Sequence, residues 1–242
     1  MSDIHILGVP LARLNRRDAL DEMARLYERD DPALVAYANA HTLNLATADP
    51  AYKELLLNAD LVLNDGSGVS LAAWIQSSRF PENLNGSDLN PLIVELAAQR
   101  GWPVFFLGGR AGVADRAAGI LKDRNPALKV AGTASGYFED PQHIAKQVRE
   151  AGTGLLMVAM GNPVQEVFLR DHLASTGARL GIGVGAFFDF TAGVVPRAPA
   201  WMNKAGIEWI YRLAQEPRRM WRRYVVGNPV FLWRAMKERL RR

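Results

Sequence analysis

Six short apolar runs punctuate the chain: ALVAYAN (33–39), DLVLND (60–65), PVFFLGG (103–109), LKVAGTA (128–134), GLLMVAMG (154–161) and RLGIGVG (179–185). Each is apolar at consecutive rather than alternate positions, the pattern of a strand covered on both faces and hence of a parallel sheet. Stretches of helical period lie between them, at 89–100, 111–125, 141–151 and 164–175. This alternation predicts an α/β fold: a Rossmann-like, mostly parallel sheet covered by helices on both faces. The alternation stops near Pro196–Pro199, and only helical, arginine-rich sequence follows. The expected division is a Rossmann-like body over 1–195 and a C-terminal helical appendage over 196–242.

Several runs end in glycine or a small polar residue just before a helix: Asp65-Gly66, Gly108-Gly109, Gly161-Asn162-Pro163 and Gly183 to Gly185. In an open parallel sheet these turns share one edge, where helix N-termini point free N–H groups outward and favour anions such as a diphosphate. None of the turns is GxGxxG or GxxxxGK[ST], so neither a dinucleotide fingerprint nor a P-loop is present.

Composition narrows the chemistry. The 242 residues contain no cysteine, which excludes disulfides, thiolate metal sites and cysteine nucleophiles, and the four histidines are scattered without metal-ligand spacing. No stretch reaches about 18 uninterrupted apolar residues and the N-terminus lacks the features of a signal peptide, so a cytoplasmic location is expected. The net charge of +4 conceals an asymmetry: residues 212–242 hold ten Lys/Arg against two Glu, leaving the other 211 residues at −4. Four of the six tryptophans (Trp201, Trp209, Trp221, Trp233) fall in the last 42 residues. Arginine mixed with Trp and Tyr suits an anionic membrane surface; it also suits nucleic acid, or a solvated basic helix packed by its aromatics.

The candidate chemistry lies at the strand ends. In LVLNDGSGVSLAAW (61–74), Asp65 is placed to act as a general base, and equally placed to serve its own turn as an Asx-turn or N-cap. In MGNPVQEVFLRDH (160–172), Asn162 can cap, Pro163 fits a first helical turn and Gln165 sits three residues after the cap; that capping-box pattern competes with a ligand role for Gln165 and Glu166. Asn39 ends the first run and His41 and Thr42 follow it, each as a turn former or as a ligand contact. The run VGAFFDFTAGVVPRAPAW (184–201) combines an aromatic centre suited to packing with Asp189, Thr191 and Arg197 as polar site candidates.

Taken together, NAHTLNLA, DLVLNDGSG, NGSDL (85–89), FFLGGRAGVADRAAGIL (105–121), GYF, MGNPVQE, GVGAFFDFTAG, RAPAW and GIEWIYRLAQEPRRMWRRY (206–224) resemble the WecG/TagA/CpsF glycosyltransferase family over nearly the whole chain. The resemblance implies an inverting transfer, without metal or other cofactor, of a hexose-type sugar from a UDP-sugar to the 4-hydroxyl of a sugar on undecaprenyl diphosphate, in bacterial surface polysaccharide biosynthesis such as exopolysaccharide. It assigns the base to Asp65 and substrate binding to Asn39, Gly161, Gln165, Glu166 and the tail arginines Arg212, Arg219 and Arg222. Thr42, Gly108, Gly109, Asp189 and Arg197 complete the expected substrate-binding set. Departures fall at Tyr37, Asn83 and Val164, where the family often carries Thr, Arg and Lys. The expected partners are the UDP-sugar, the lipid-linked acceptor and the cytoplasmic face of the plasma membrane, which the tail contacts peripherally; no nucleic acid is expected, and a homo-oligomer is open. The chain has no DxD pair to hold a metal, so leaving-group charge would fall on helix N-termini and arginines. The rival reading is a nucleotide- or nucleic-acid-binding module with a basic tail; the acidic body argues against it.

Overall fold

The computed structural model describes residues 3–199, 201–202 and 207–241. All six apolar runs are strands: β3 (Ala33–Ala38), β4 (Leu61–Asn64), β5 (Pro103–Gly108), β6 (Lys129–Ala134), β7 (Leu155–Ala159) and β8 (Leu180–Gly183). They form one sheet in the order β4-β3-β8-β7-β5-β6, with every neighbouring pair parallel. All strand C-termini therefore lie on one edge. The sheet is preceded by a small antiparallel hairpin, β1 (Ile4–Ile6) with β2 (Val9–Leu11).

Five of the described helices start where a short polar side chain satisfies free N–H groups. Asn15 caps α1 (Arg16–Tyr27), Asn39 caps α2 (Ala40–Ala48), Asp49 caps α3 (Pro50–Leu57), Asn85 caps α5 (Gly86–Arg100) and Asp140 caps α7 (Pro141–Glu150). α4 (Ser67–Ile75), α6 (Val113–Arg124), α8 (Val164–Thr176) and the short α9 (Phe187–Thr191) begin without a side-chain cap.

Alternate strand residues feed two cores. Val35, Leu63, Phe106, Met157 and Ile182 pack with α1, α5, α6 and α9 on one face. Ala36, Val62, Phe105, Val158 and Leu156 pack with the hairpin, α2, α3, α4, α7 and α8 on the other. Gly108 shows how tightly strand ends approach: at φ 144, a Cβ there would lie 2.4 Å from the Ala159 carbonyl oxygen.

The C-terminal region is helical, as expected. α10 (Glu208–Gln215) and α11 (Pro217–Trp221) lead through a π-helical turn (Arg222–Val226) into α12 (Gly227–Leu240). α12 does not stand away from the body. It packs on α2 and α4, and its Phe231 and Ala235 are fully buried in the second core. Among the described residues no helix is long and apolar enough to cross a membrane.

Candidate active site

The register of the first two strands creates the site. Ala38 pairs with Asn64, so Asn39 and Asp65 leave the sheet side by side although 26 residues separate them in sequence. Asn39 uses both ends of its amide. Its Oδ1 accepts from the N–H groups of His41 (3.0 Å) and Thr42 (3.1 Å), capping α2, and its Nδ2 donates to Asp65 Oδ2 at 3.0 Å. The buried Thr42 hydroxyl adds a bond to Asn39 Oδ1 at 3.2 Å, fixing the amide's orientation.

Asp65 does not serve its own turn. Gly66, at φ 95, occupies the cap position of α4 with no side-chain cap bond, and the second Asp65 oxygen accepts from Gly86 N–H at 3.4 Å. The carboxylate is thus held between β3 and the start of α5 and stays partly open to solvent. Asn83 Oδ1 accepts from Gly66 N–H at 2.9 Å, so a short amide braces the turn at one of the positions where the chain departs from the family pattern. Tyr37, another departure, is buried and donates to Asn90 Oδ1 at 2.8 Å; burial, then the Asp65 charge, pushes its phenol well above the usual range.

The appendage closes over this edge. Burial raises the Glu208 carboxyl on α10; Arg212 and Arg197 oppose the rise, whereas Asp65 and Asp88 reinforce it. Those influences place Glu208 in the field of Asp65. Arg212 lies over the Phe190 ring, 4.9 Å from its centroid, and Arg197 is paired with Asp88 at the start of α5. Arg223 acts on His41: burial and then the Arg223 charge lower the imidazole to about 4, so His41 is neutral at physiological pH. Arg222, expected at the site, is exposed, and its neighbour Arg223 is the residue near α2. The Arg219 side chain lies outside the described residues.

The opposite wall is built from the ends of β5, β7 and β8. Gly109 N–H donates to Ala159 O at 3.0 Å, and Gly109 O accepts from Gly136 N–H at 2.9 Å, so the Gly108-Gly109 turn is stitched to its neighbours. The capping-box expectation at 162–165 is corrected: α8 starts at Val164, and Asn162 donates to Glu166 Oε1 (2.7 Å) instead of capping. Gln165 Oε1 accepts from Gly161 N–H (3.1 Å) and Gly185 N–H (3.0 Å), locking two strand-end turns together. Gln165 and Glu166 are both buried. Asp189 lies partly exposed on α9, and its carbonyl accepts from Val194 and Val195 N–H.

Glu166 is a charge-bearing group inside this wall, accepting from Gln165 (2.7 Å) and from Tyr52 OH (3.2 Å) as well as Asn162. Burial raises its carboxyl, and the hydrogen bonds only partly oppose that rise. A carboxyl raised on folding stabilises most below its unfolded value, near pH 4 (about 4.3), and loses that contribution as pH rises through its folded value. Glu166→Gln has no charge to desolvate. Its melting temperature relative to the parent is expected to rise as the buffer goes from about pH 4 to pH 7. A constant difference over that range would contradict this.

A parallel α/β sheet with an oriented carboxylate and helix N-termini at its strand C-termini has the layout in which open α/β folds bind their ligands. The chain belongs to the glycosyl transferase WecG/TagA/CpsF family, whose profile matches residues 4–242. It is 28% identical over 234 residues to the N-acetylglucosaminyldiphosphoundecaprenol N-acetyl-beta-D-mannosaminyltransferase of Bacillus subtilis, covering 96% of this chain and 91% of that protein. It is 30% identical over 210 residues to the protein of the same name from Bacillus spizizenii, covering 87% of this chain and 81% of the relative.

Asp88 and Glu208, two further acids at this edge, carry no mark in the sequence. Glu208 stood within EWIYRL, yet nothing local marks it as returning to Asp65; Asp88 reads as an ordinary first-turn acid of a helix.

Proposed function

We propose that the protein transfers an N-acetylmannosaminyl group, or a closely similar hexose, from a UDP-sugar to the 4-hydroxyl of a sugar carried on undecaprenyl diphosphate. The observation that carries this reading is the Asp65 carboxylate, held by Asn39 and Gly86 at the mouth of the strand edge, where its charge also acts on Glu208 of the appendage. The names of the two relatives support the choice of sugar and acceptor.

In this mechanism Asp65 accepts the proton of the acceptor hydroxyl as its oxygen attacks the anomeric carbon. The bond from that carbon to the UDP oxygen breaks on the opposite face, inverting the configuration. UDP departs with the bonding pair, and its new charge is met by guanidiniums from the appendage and by N–H groups at the strand-end turns. Asn39 and Thr42 fix the carboxylate, Gln165 holds the Gly161 and Gly185 turns in position, and Arg197 ties α5 to the start of the appendage through Asp88.

The reaction needs no divalent metal in this reading, because arginines carry the leaving-group charge. Transfer measured as UDP release should be the same in EDTA as in Mg²⁺, and nuclear magnetic resonance of the product should show a β linkage. Loss of activity in EDTA with recovery on adding Mg²⁺ or Mn²⁺ would contradict metal independence. The appendage, basic and rich in tryptophan, is proposed to lie on the anionic inner leaflet, giving access to a lipid-borne acceptor.

A further inference from the structure

α12 is amphipathic in an unusual sense. Phe231 and Ala235 are buried on its inner side, yet Val226 at its cap and Val230, Trp233, Met236 and Leu240 along its outer side are all exposed, Trp233 at 55% and Leu240 at 87%. Residues at these spacings share one stripe of a helix. Beside the stripe, α12, the β1–β2 turn and the ends of α2 and α3 enclose an open cleft of about 470 Å³, whose lining includes Lys53, Trp233, Arg234, Lys237, Glu238 and Arg241.

The charges in this cleft do not cancel. Glu238 is its only acid, and Oε2 of that residue already accepts from Leu7 N–H (2.8 Å) and Gln76 Nε2 (2.7 Å). Among the described residues, none of the four cations forms an ion pair. Arg234 donates to the neutral Asn44 amide at 2.8 Å, and the Lys237 ammonium sits 5.0 Å from the Trp233 ring centroid. The Lys53 side chain lies against the β1–β2 turn: a Cβ built on Gly8, φ 75, would stand 2.7 Å from Nζ. A cluster of unpaired cations opening beside an apolar stripe matches one chemistry, a phosphate ester whose other end is hydrocarbon.

We propose that this cleft receives the phosphate of an anionic phospholipid headgroup, with the outer stripe of α12 lying at the lipid surface. The inference rests on the membrane reading above and makes it local: Lys53 belongs to the α/β body, so one residue far from the basic tail sequence takes part in lipid recognition. It also explains why α12 is docked on α2 and α4 with its apolar stripe facing outward.

The test is co-sedimentation of the full chain with phosphatidylglycerol/phosphatidylcholine vesicles at fixed ionic strength, comparing Lys53→Glu with Lys129→Glu. Lys129 is an exposed residue on β6, at the opposite edge of the sheet from β4, and matches the charge change. Each basic residue at an anionic surface contributes about 1 kcal/mol, so reversal within the cleft should lower vesicle binding about tenfold or more, with Lys129→Glu within about twofold of the parent. Lys53→Gln, with no repulsive charge, should fall between them, and unchanged melting temperatures guard against misfolding. Equal losses in Lys53→Glu and Lys129→Glu would reduce the effect to overall charge and overturn the cleft. Thermal stabilisation by inorganic phosphate that requires Lys53, with vesicle binding unaltered by Lys53→Glu, would replace the lipid by a free anion and overturn it too. Failure of the unaltered chain to bind the vesicles would instead sink the membrane reading itself.

Discussion

Asp65→Asn is expected to lower turnover by roughly 10²-fold or more while leaving the fold intact, in keeping with the usual contribution of a general base. The substitution is conservative in structure. The amide oxygen can keep the 3.0 Å bond from Asn39 Nδ2, and the contact given up is the longer one, 3.4 Å from Gly86 N–H. A hydrogen bond to a carboxylate is worth about 1.5–3 kcal/mol at normal length and less at 3.4 Å, so melting temperature should fall by several degrees at most. What the variant cannot do is take a proton. Steady-state UDP release with saturating acceptor distinguishes the roles, and near-normal turnover in a well-folded Asp65→Asn protein would remove Asp65 from the chemistry.

Replacing Arg212 and Arg223 together by alanine is expected to have the second-largest effect, a loss of about 10²-fold or more in kcat/KM. Each guanidinium that meets a developing diphosphate charge contributes on the order of 1.5–3 kcal/mol. Arg212 is held beside the site by the Phe190 ring and Glu208, and Arg223 by α2 and the Tyr224 ring 5.5 Å away. Substitution is a cleaner experiment than cutting the chain after Val195, since truncation would also strip Phe231 and Ala235 from the second core. The discriminating readout is a water-soluble, short-chain acceptor, for which membrane contact is irrelevant. Full activity of the double variant on that acceptor would mean the appendage arginines are not part of the site.

The six strands were legible as short apolar runs bounded by turn residues; β3, β4, β5, β7 and β8 are buried almost throughout, whereas β6, at the edge of the sheet, has no buried residue and read as a strand from its length and its flanking turns. The hairpin was not: IHI and VPL are three residues each, one contains a proline, and the turn between them places Leu7 at φ 53, a conformation its side chain does not advertise. Asp65 and Asn39 were each legible as strand-end residues, and each carried a local alternative. The bond between them depends on the parallel register of β3 and β4, which is tertiary information. Gln165 illustrates the opposite failure. Its spacing from Asn162 fits a capping box, but its side chain bridges the ends of β7 and β8, a contact 20 residues away in sequence. The tail read as basic and aromatic, and its composition could not single out Phe231 as a core residue or Glu208 as a neighbour of Asp65.

The measurement that bears most directly on the account is transfer from a panel of radiolabelled UDP-sugars to N-acetylglucosamine linked through diphosphate to a short lipid. The account expects one UDP-hexose, UDP-N-acetylmannosamine or a close analogue, to yield a lipid-linked disaccharide together with one equivalent of UDP, with the product lost in Asp65→Asn. No product from any UDP-sugar with this acceptor, from protein that is folded and presented with anionic vesicles, would contradict it.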